Sequence, residues 1–148
     1  MKAYLKITLF FVTLFISSSA IAITTDDLKY ARPTDLFKRM QSACQQNNQD
    51  MLFFQLSSSF RNAIKTQAPA VKQTELFKFY CSDVNNLVKN KLGGQPEKAN
   101  YYIKQSDRTN NGQRKTILCI EPKGQPAGSC SIQVDVAIED GELKRDEF

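Results

Sequence analysis

The chain contains no histidine. Imidazole is the commonest general base at neutral pH, so a Ser-His-Asp triad and a Cys-His pair are both impossible. Zinc loses its usual nitrogen ligand, and the four cysteines contain no CxxC pair to replace it. No serine is followed three places on by lysine, which removes the signature of a Ser-Lys nucleophile site. A P-loop, a GxGxxG turn and the EF-hand pattern are also missing. Three of the carboxylates cluster, Glu139, Asp140 and Glu142. A glycosidase could use such a pair, but these surround a tight turn and read as solvated charges. The sequence therefore points to a non-catalytic protein with no cofactor and no metal.

Long hydrophobic runs are equally scarce. The longest, Ile7 to Ile16, follows Lys2 and Lys6 and leads through Ser17–Ser19 to Ala20-Ile21-Ala22. A positive start, a ten-residue apolar stretch and a small-x-small site describe a secretory signal peptide over residues 1–22. A membrane anchor is the competing reading, yet a spanning helix needs about 20 apolar residues. No cysteine follows the run, so lipoprotein processing is not expected. Cleavage after Ala22 leaves 126 of 148 residues, Ile23 to Phe148, enough for one domain. The signal is bacterial in style, and the mature chain is placed in the periplasm or outside the cell, with no stable membrane insertion.

Charge of one sign is in mild excess only. The formal charge of +5 falls to +3 once Lys2 and Lys6 are removed. Acids are interspersed with bases, without the basic stripe that nucleic acid binding requires; no nucleic acid partner is expected.

Cysteine is present in an even number: Cys44, Cys81, Cys119 and Cys130. In an oxidising compartment that implies two disulfides. Three pairings are possible, and free buried thiols are the alternative. Cys119 and Cys130 flank a loop holding Pro122, Gly124, Pro126 and Gly128 between two apolar runs, so a hairpin would set them opposite. That leaves Cys44–Cys81 to tie two helices. If Cys119 faces Cys130, Ile117 faces Ile132, which agrees with the apolar alternation of Ile132, Val134, Val136 and Ile138.

Three helices are expected first. Pro33-Thr34-Asp35 starts one, with Thr34 or Asp35 as cap and Leu36, Phe37, Met40, Ala43 and Cys44 on one face. Asp50 can cap a second that enters the core at Met51–Phe54 and runs to Ile64, weakened by Ser57-Ser58-Ser59. A third, from Val71 or Thr74 to Leu92, buries Leu76, Phe77, Tyr80, Cys81, Val84, Leu87 and Val88 and ends at Gly93-Gly94. Four strands follow: Asn100–Ser106, Gln113–Glu121, Ser129–Glu139 and Glu142–Phe148. Asn111-Gly112 and Asp140-Gly141 supply turns. The order reads as α+β, three N-terminal helices packed on a curved four-stranded antiparallel sheet.

Two stretches carry a resemblance. Leu36 to Phe60 gives an amphipathic helix, Asn47-Asn48-Gln49-Asp50 and a second helix; Val134 to Phe148 gives a closing hairpin through Asp140-Gly141-Glu142-Leu143-Lys144. In these the chain resembles the nuclear-transport-factor-2-like superfamily of cone-shaped α+β domains. The two expected disulfides and the long third helix depart from it. The resemblance implies a fold and no function, since that superfamily holds enzymes and binding modules alike. Its enzymes commonly use a pocket Asp–His pair, which a chain without histidine lacks.

The basic residues Lys98, Lys104, Arg108, Arg114 and Lys115 gather on the first hairpin with Tyr101 and Tyr102 among them. Lysines on a sheet edge ordinarily blunt pairing. Tyrosine and arginine are also enriched at interfaces, so Tyr101, Tyr102, Lys104, Arg108 and Arg114 form the candidate partner-binding surface. The expected function is to engage another periplasmic or secreted envelope protein, in its most concrete form as an inhibitor or immunity protein against a periplasm-acting toxin. The rival is a carrier of small apolar ligands, with a cavity between helices and sheet lined by Phe53, Phe54, Phe60, Phe77 and Tyr80.

Overall fold

The computed structural model describes residues 22–106 and 115–146. Residues 1–21 of the expected signal peptide, the Asn111-Gly112 turn, Arg108, Arg114 and the last two residues of the expected fourth strand lie outside the described residues. Four α-helices precede four strands: α1 Pro33–Gln45, α2 Gln49–Phe53, α3 Ser58–Gln67, α4 Ala70–Asn85, then β1 Asn100–Gln105, β2 Thr116–Glu121, β3 Ile132–Glu139 and β4 Glu142–Arg145. The strands form one antiparallel sheet in the order β1-β2-β3-β4.

α1 buries Leu36, Phe37, Met40 and Ala43, the expected face. Its start differs: Arg32 is the N-cap, Pro33 occupies the first turn, and Asp35 accepts from the Arg32 guanidinium at 3.0 Å. Proline loses nothing there, because that N–H has no partner inside the helix. In α2 the cap is Asn48, whose side-chain oxygen accepts from Met51 N–H at 3.0 Å, rather than Asp50.

The expected second helix is two. It breaks at Phe54–Ser57 because this backbone serves the sheet. Arg145 N–H donates to the Gln55 carbonyl at 2.9 Å, and Ser57 N–H donates to the Arg145 carbonyl at 2.7 Å. Leu56 thereby makes a parallel bridge to Arg145. Ser57 then restarts the helix, its hydroxyl accepting from Phe60 N–H. The break also turns Phe54 out to solvent at 55% exposure. There its ring lies under Lys144 Nζ at 4.3 Å and Arg61 at 5.1 Å, a cation–π stack.

α4 continues through a π-type turn over Asn86–Lys91 to Leu92. Phe77, Tyr80, Val84, Leu87, Val88 and Leu92 are buried as expected. Gly93 and Gly94 end it in the left-handed region, at φ 59° and 72°. The Cys44–Cys81 disulfide joins α1 to α4.

β3 changes partners halfway. Ile132–Asp135 pair with β2 and Val136–Glu139 pair with β4. Asp140 and Gly141, both at positive φ (52° and 75°), make the two-residue turn into β4. Leu118, Ile120, Val134, Val136 and Leu143 meet α1, α2 and α4 in one core.

The expected register is three residues out. Cys119 pairs with Gln133 and Ile120 with Ile132; Ile117 faces Asp135 instead of Ile132. An odd slip exchanges the faces of β2, so Leu118 and Ile120 point to the helices while Cys119 and Glu121 point away. The Cys119–Cys130 bridge still forms. Cys130 sits before β3 begins, at φ 45°, and that left-handed residue brings its side chain to the outer face.

Candidate partner-binding face

β1 is an edge strand whose residues alternate between two environments. Ser106 N–H donates to the Lys115 carbonyl at 2.8 Å, which fixes the hydrogen-bond parity of the β1–β2 pair. Tyr102 and Lys104 share the outer face with Cys119 and Ile117. Tyr101 lies on the inner face, its ring 6.3 Å from that of Phe37 and its hydroxyl donating to the Pro96 carbonyl at 2.5 Å. Burial, then the nearby Glu97 charge, pushes the Tyr101 hydroxyl pKa well up from its ordinary value. Of the five expected contact residues, only Tyr102 and Lys104 are therefore brought together on one described face. Tyr101 faces the core, and Arg108 and Arg114 lie outside the described residues. Lys104 is exposed and Tyr102 is half-buried.

The outer face is rigidified by a cluster the sequence did not announce. Residues 122–131 fold back over β2, held by the Cys119–Cys130 bridge. Cys119 is fully buried beneath them and Glu121 is 3% exposed. Burial pushes the Glu121 carboxyl up, but its donors outweigh this and hold it below the ordinary range. They are the N–H groups of Cys130 and Gly128, the Asn100 amide and the Tyr102 hydroxyl. Tyr102 is raised in turn, by desolvation and by that carboxylate. Ser131 Oγ donates to the Ile120 carbonyl at 3.2 Å, and Lys115 Nζ meets Asp135 at 3.1 Å. The signal for this cluster was the parity of β2: once Leu118 and Ile120 face the core, Glu121 must share a face with Cys119.

Of the three carboxylates expected as solvated charges, Asp140 is exposed at the turn, while Glu139 and Glu142 have partners. Glu139 accepts from the Ser58 N–H at 2.7 Å and its hydroxyl at 2.9 Å, at the start of α3. Glu142 is held below the ordinary carboxyl range by its hydrogen bond from Lys144, against some desolvation, and by the Arg39 charge.

The aromatic set of the ligand-carrier reading divides. Phe53, Phe77 and Tyr80 are buried in the core and Phe54 is on the surface. Phe60 and Tyr80 line an open groove of about 520 Å³ with Leu76, Phe79, Gln133, Val134 and Asp135. Phe79 is 56% exposed beside it. Among the described residues no group of three or more acidic or cysteine side chains is placed to hold a metal ion, and no helix is long and apolar enough to cross a membrane.

No family model, curated protein or solved structure matches the chain.

Proposed function

We propose that the mature chain, residues 23–148, is a non-catalytic binding domain of the periplasm or secreted space that engages another envelope protein. Its most concrete form is an inhibitor or immunity protein against a toxin acting in that compartment. The observation that carries this reading is the outer face of β1 and β2. Tyr102 and Lys104 are displayed on a surface cross-braced by a disulfide and by the Glu121 carboxylate. A surface already fixed in shape loses little entropy on binding, and tyrosine beside basic residues suits a protein interface. Arg108 and Arg114 follow in the chain and extend the same basic character. Two disulfides fit an oxidising compartment, and helices followed by a four-stranded meander fit the nuclear-transport-factor-2-like resemblance.

The test is affinity capture. The oxidised chain Ile23–Phe148 is immobilised and exposed to periplasmic and secreted extract of its source. One protein is expected at near-equal stoichiometry, and it is expected to be lost when Lys104, Arg108 and Arg114 become alanine. Undiminished capture by that variant refutes the placement of the surface.

The second reading, a carrier of small apolar ligands, is favoured by the groove along Phe60, Leu76, Phe79 and Tyr80. Native mass spectrometry of the purified chain decides it: a co-purified apolar molecule displaced by Leu76→Lys supports it, and a ligand-free mass refutes it.

A further inference from the structure

The two edges of the sheet are treated differently. On β4, Arg145 exchanges both backbone hydrogen bonds with the Gln55–Ser57 segment, and the Leu143 carbonyl accepts from the Arg39 guanidinium at 3.1 Å. That edge is closed. On β1, the parity set by Ser106 and Lys115 turns the N–H and C=O groups of Tyr101, Ile103 and Gln105 away from β2. What meets them is a strap at the mature N-terminus, which leads into a 3-10 turn, Thr25–Lys29, lying against β1 with Leu28 buried. Its polar contacts to the edge are made by side chains rather than by a ladder. Thr25 Oγ1 accepts from Ile103 N–H at 3.0 Å, and the Gln105 side-chain amide donates to the Ile23 carbonyl at 3.3 Å. Among the described residues, no backbone acceptor meets the N–H groups of Tyr101 and Gln105 on this side.

We propose that this edge is a strand-addition site for an extended, acidic segment of another protein, which pairs with Tyr101, Ile103 and Gln105 as the Ile23–Thr25 strap moves aside. The proposal rests on the protein-binding reading above and names its mode. Backbone pairing supplies the attraction in such additions, and side chains supply the selection. Here the selection is charge. From Glu97 to Lys115 the sequence carries Lys98, Lys104, Arg108, Arg114 and Lys115 against two acids, Glu97 and Asp107. A second copy laid on the same edge would bring two copies of the exposed Lys104 together, and like charges opposed across strands repel. Lys104, exposed in mid-strand, turns away basic strands for the same reason and admits an acidic one.

The mature chain, isotope-labelled for amide exchange, is titrated with a capped nine-residue peptide alternating Glu with Val or Thr, and with the same peptide carrying Lys for Glu. The acidic peptide is expected to slow exchange at Tyr101, Ile103 and Gln105 and to bind at least about tenfold more tightly than the basic one at low salt. Thr25→Val removes the strap's bond and is expected to tighten binding about fivefold, the worth of one neutral hydrogen bond. Ile103→Pro removes an outward N–H while sparing the β1–β2 ladder. Unchanged protection at Tyr102 and Lys104 checks that the ladder survives, and the variant is expected to lose the peptide. Equal affinity for the two peptides, protection confined to the groove at Leu76 and Phe79, or a dimer joined at β1 in the absence of peptide each overturns the proposal. So does a captured partner that holds Ile103→Pro as tightly as the parent while releasing the Lys104, Arg108 and Arg114 variant. That last outcome leaves the broader binding reading standing, whereas a chain that captures no protein yet gains edge protection from the acidic peptide fails the broader reading alone.

Discussion

Removing either disulfide by a paired cysteine-to-alanine change is expected to cost nearly the same, for different reasons. Cys44 and Cys81 are 37 residues apart, and Cys119 and Cys130 are 11 apart. Loop closure in the unfolded chain then makes the long bridge worth about 3.8 kcal/mol and the short one about 2.8 kcal/mol at 25 °C. Packing restores the balance. Cys119 is fully buried between β2 and the loop, whereas Cys44 and Cys81 are half-buried. Alanine at Cys119 therefore leaves a small void, which adds about 1 kcal/mol. Each double variant should lose about 4 kcal/mol, or about 15 °C in Tm for a domain of this length. The assay is equilibrium urea unfolding followed by far-UV circular dichroism, with the parent oxidised throughout. The m value should rise in both variants, more for Cys44→Ala/Cys81→Ala, because a larger loop is freed in the unfolded state. The reasoning is refuted if the short bridge costs less than about 1 kcal/mol. Its loop would then be held by the Glu121 and Ser131 hydrogen bonds without the staple.

Arg145 is 9% exposed, donates to Asp83 at 2.6 Å and stacks on the Tyr80 ring at 5.2 Å. Asp83→Ala removes this hydrogen-bonded counter-charge from the guanidinium and should cost about 2–3 kcal/mol by urea unfolding, less than a fully buried pair because Asp83 is partly exposed. Arg145→Met, which removes the buried charge itself, should cost less; the opposite order refutes the account. Ser57→Ala removes the α3 cap and a 2.5 Å bond to Asp146, and should lower stability by about 1–2 kcal/mol. For pH, Glu121 and Glu142 both titrate below the ordinary 4.5 when folded. Their contribution is therefore full above that value and is lost as pH falls through the folded value. Unfolding free energy should hold steady at neutral pH and decline below about pH 4.5, and a flat acid limb contradicts this. Tyr101 has the opposite sign: raised from 10.0 when folded, it stabilises fully below that value and loses its contribution above it. Its phenolate absorbance should appear later in the folded chain than in urea.

What the sequence made legible was periodicity. The apolar faces of α1 and α4 were readable because 3.6-residue spacing repeats over three or more turns, and the ends were marked by Gly93-Gly94 and by the turn residues Asp140-Gly141. The pairing of the four cysteines was readable from the short Pro/Gly loop between Cys119 and Cys130, which leaves Cys44 to Cys81. Helix count and strand register were not legible, because both depend on contacts distant in sequence. Met51 to Ile64 has continuous helical spacing, and only the pairing of Gln55–Ser57 with Arg145 breaks it. The register of β2 on β3 was inferred from two cysteines assumed to be opposite, when one of them is a left-handed loop residue. A disulfide fixes a distance and leaves strand parity open.

Parity is what assigns the candidate site its residues. Had Cys119 and Ile117 faced the helices, as the direct Cys119–Cys130 opposition requires, Tyr102 and Lys104 would have shared their inner face and Tyr101 would have been the displayed aromatic. The observed pairing reverses this. It sends Tyr101 to Phe37, puts Tyr102 on the Glu121 carboxylate, and leaves Lys104 as the exposed charge at mid-strand. Tyr101→Phe and Tyr102→Phe are therefore expected to separate two effects. The first loses the Pro96 hydrogen bond at the cost of about 1 kcal/mol of stability without touching the outer surface. The second unties a donor from Glu121 and loosens the displayed face itself. If partner capture is weakened by the Tyr101 change and left untouched by the Tyr102 change, the inner face carries the contact and the outer-face assignment is wrong.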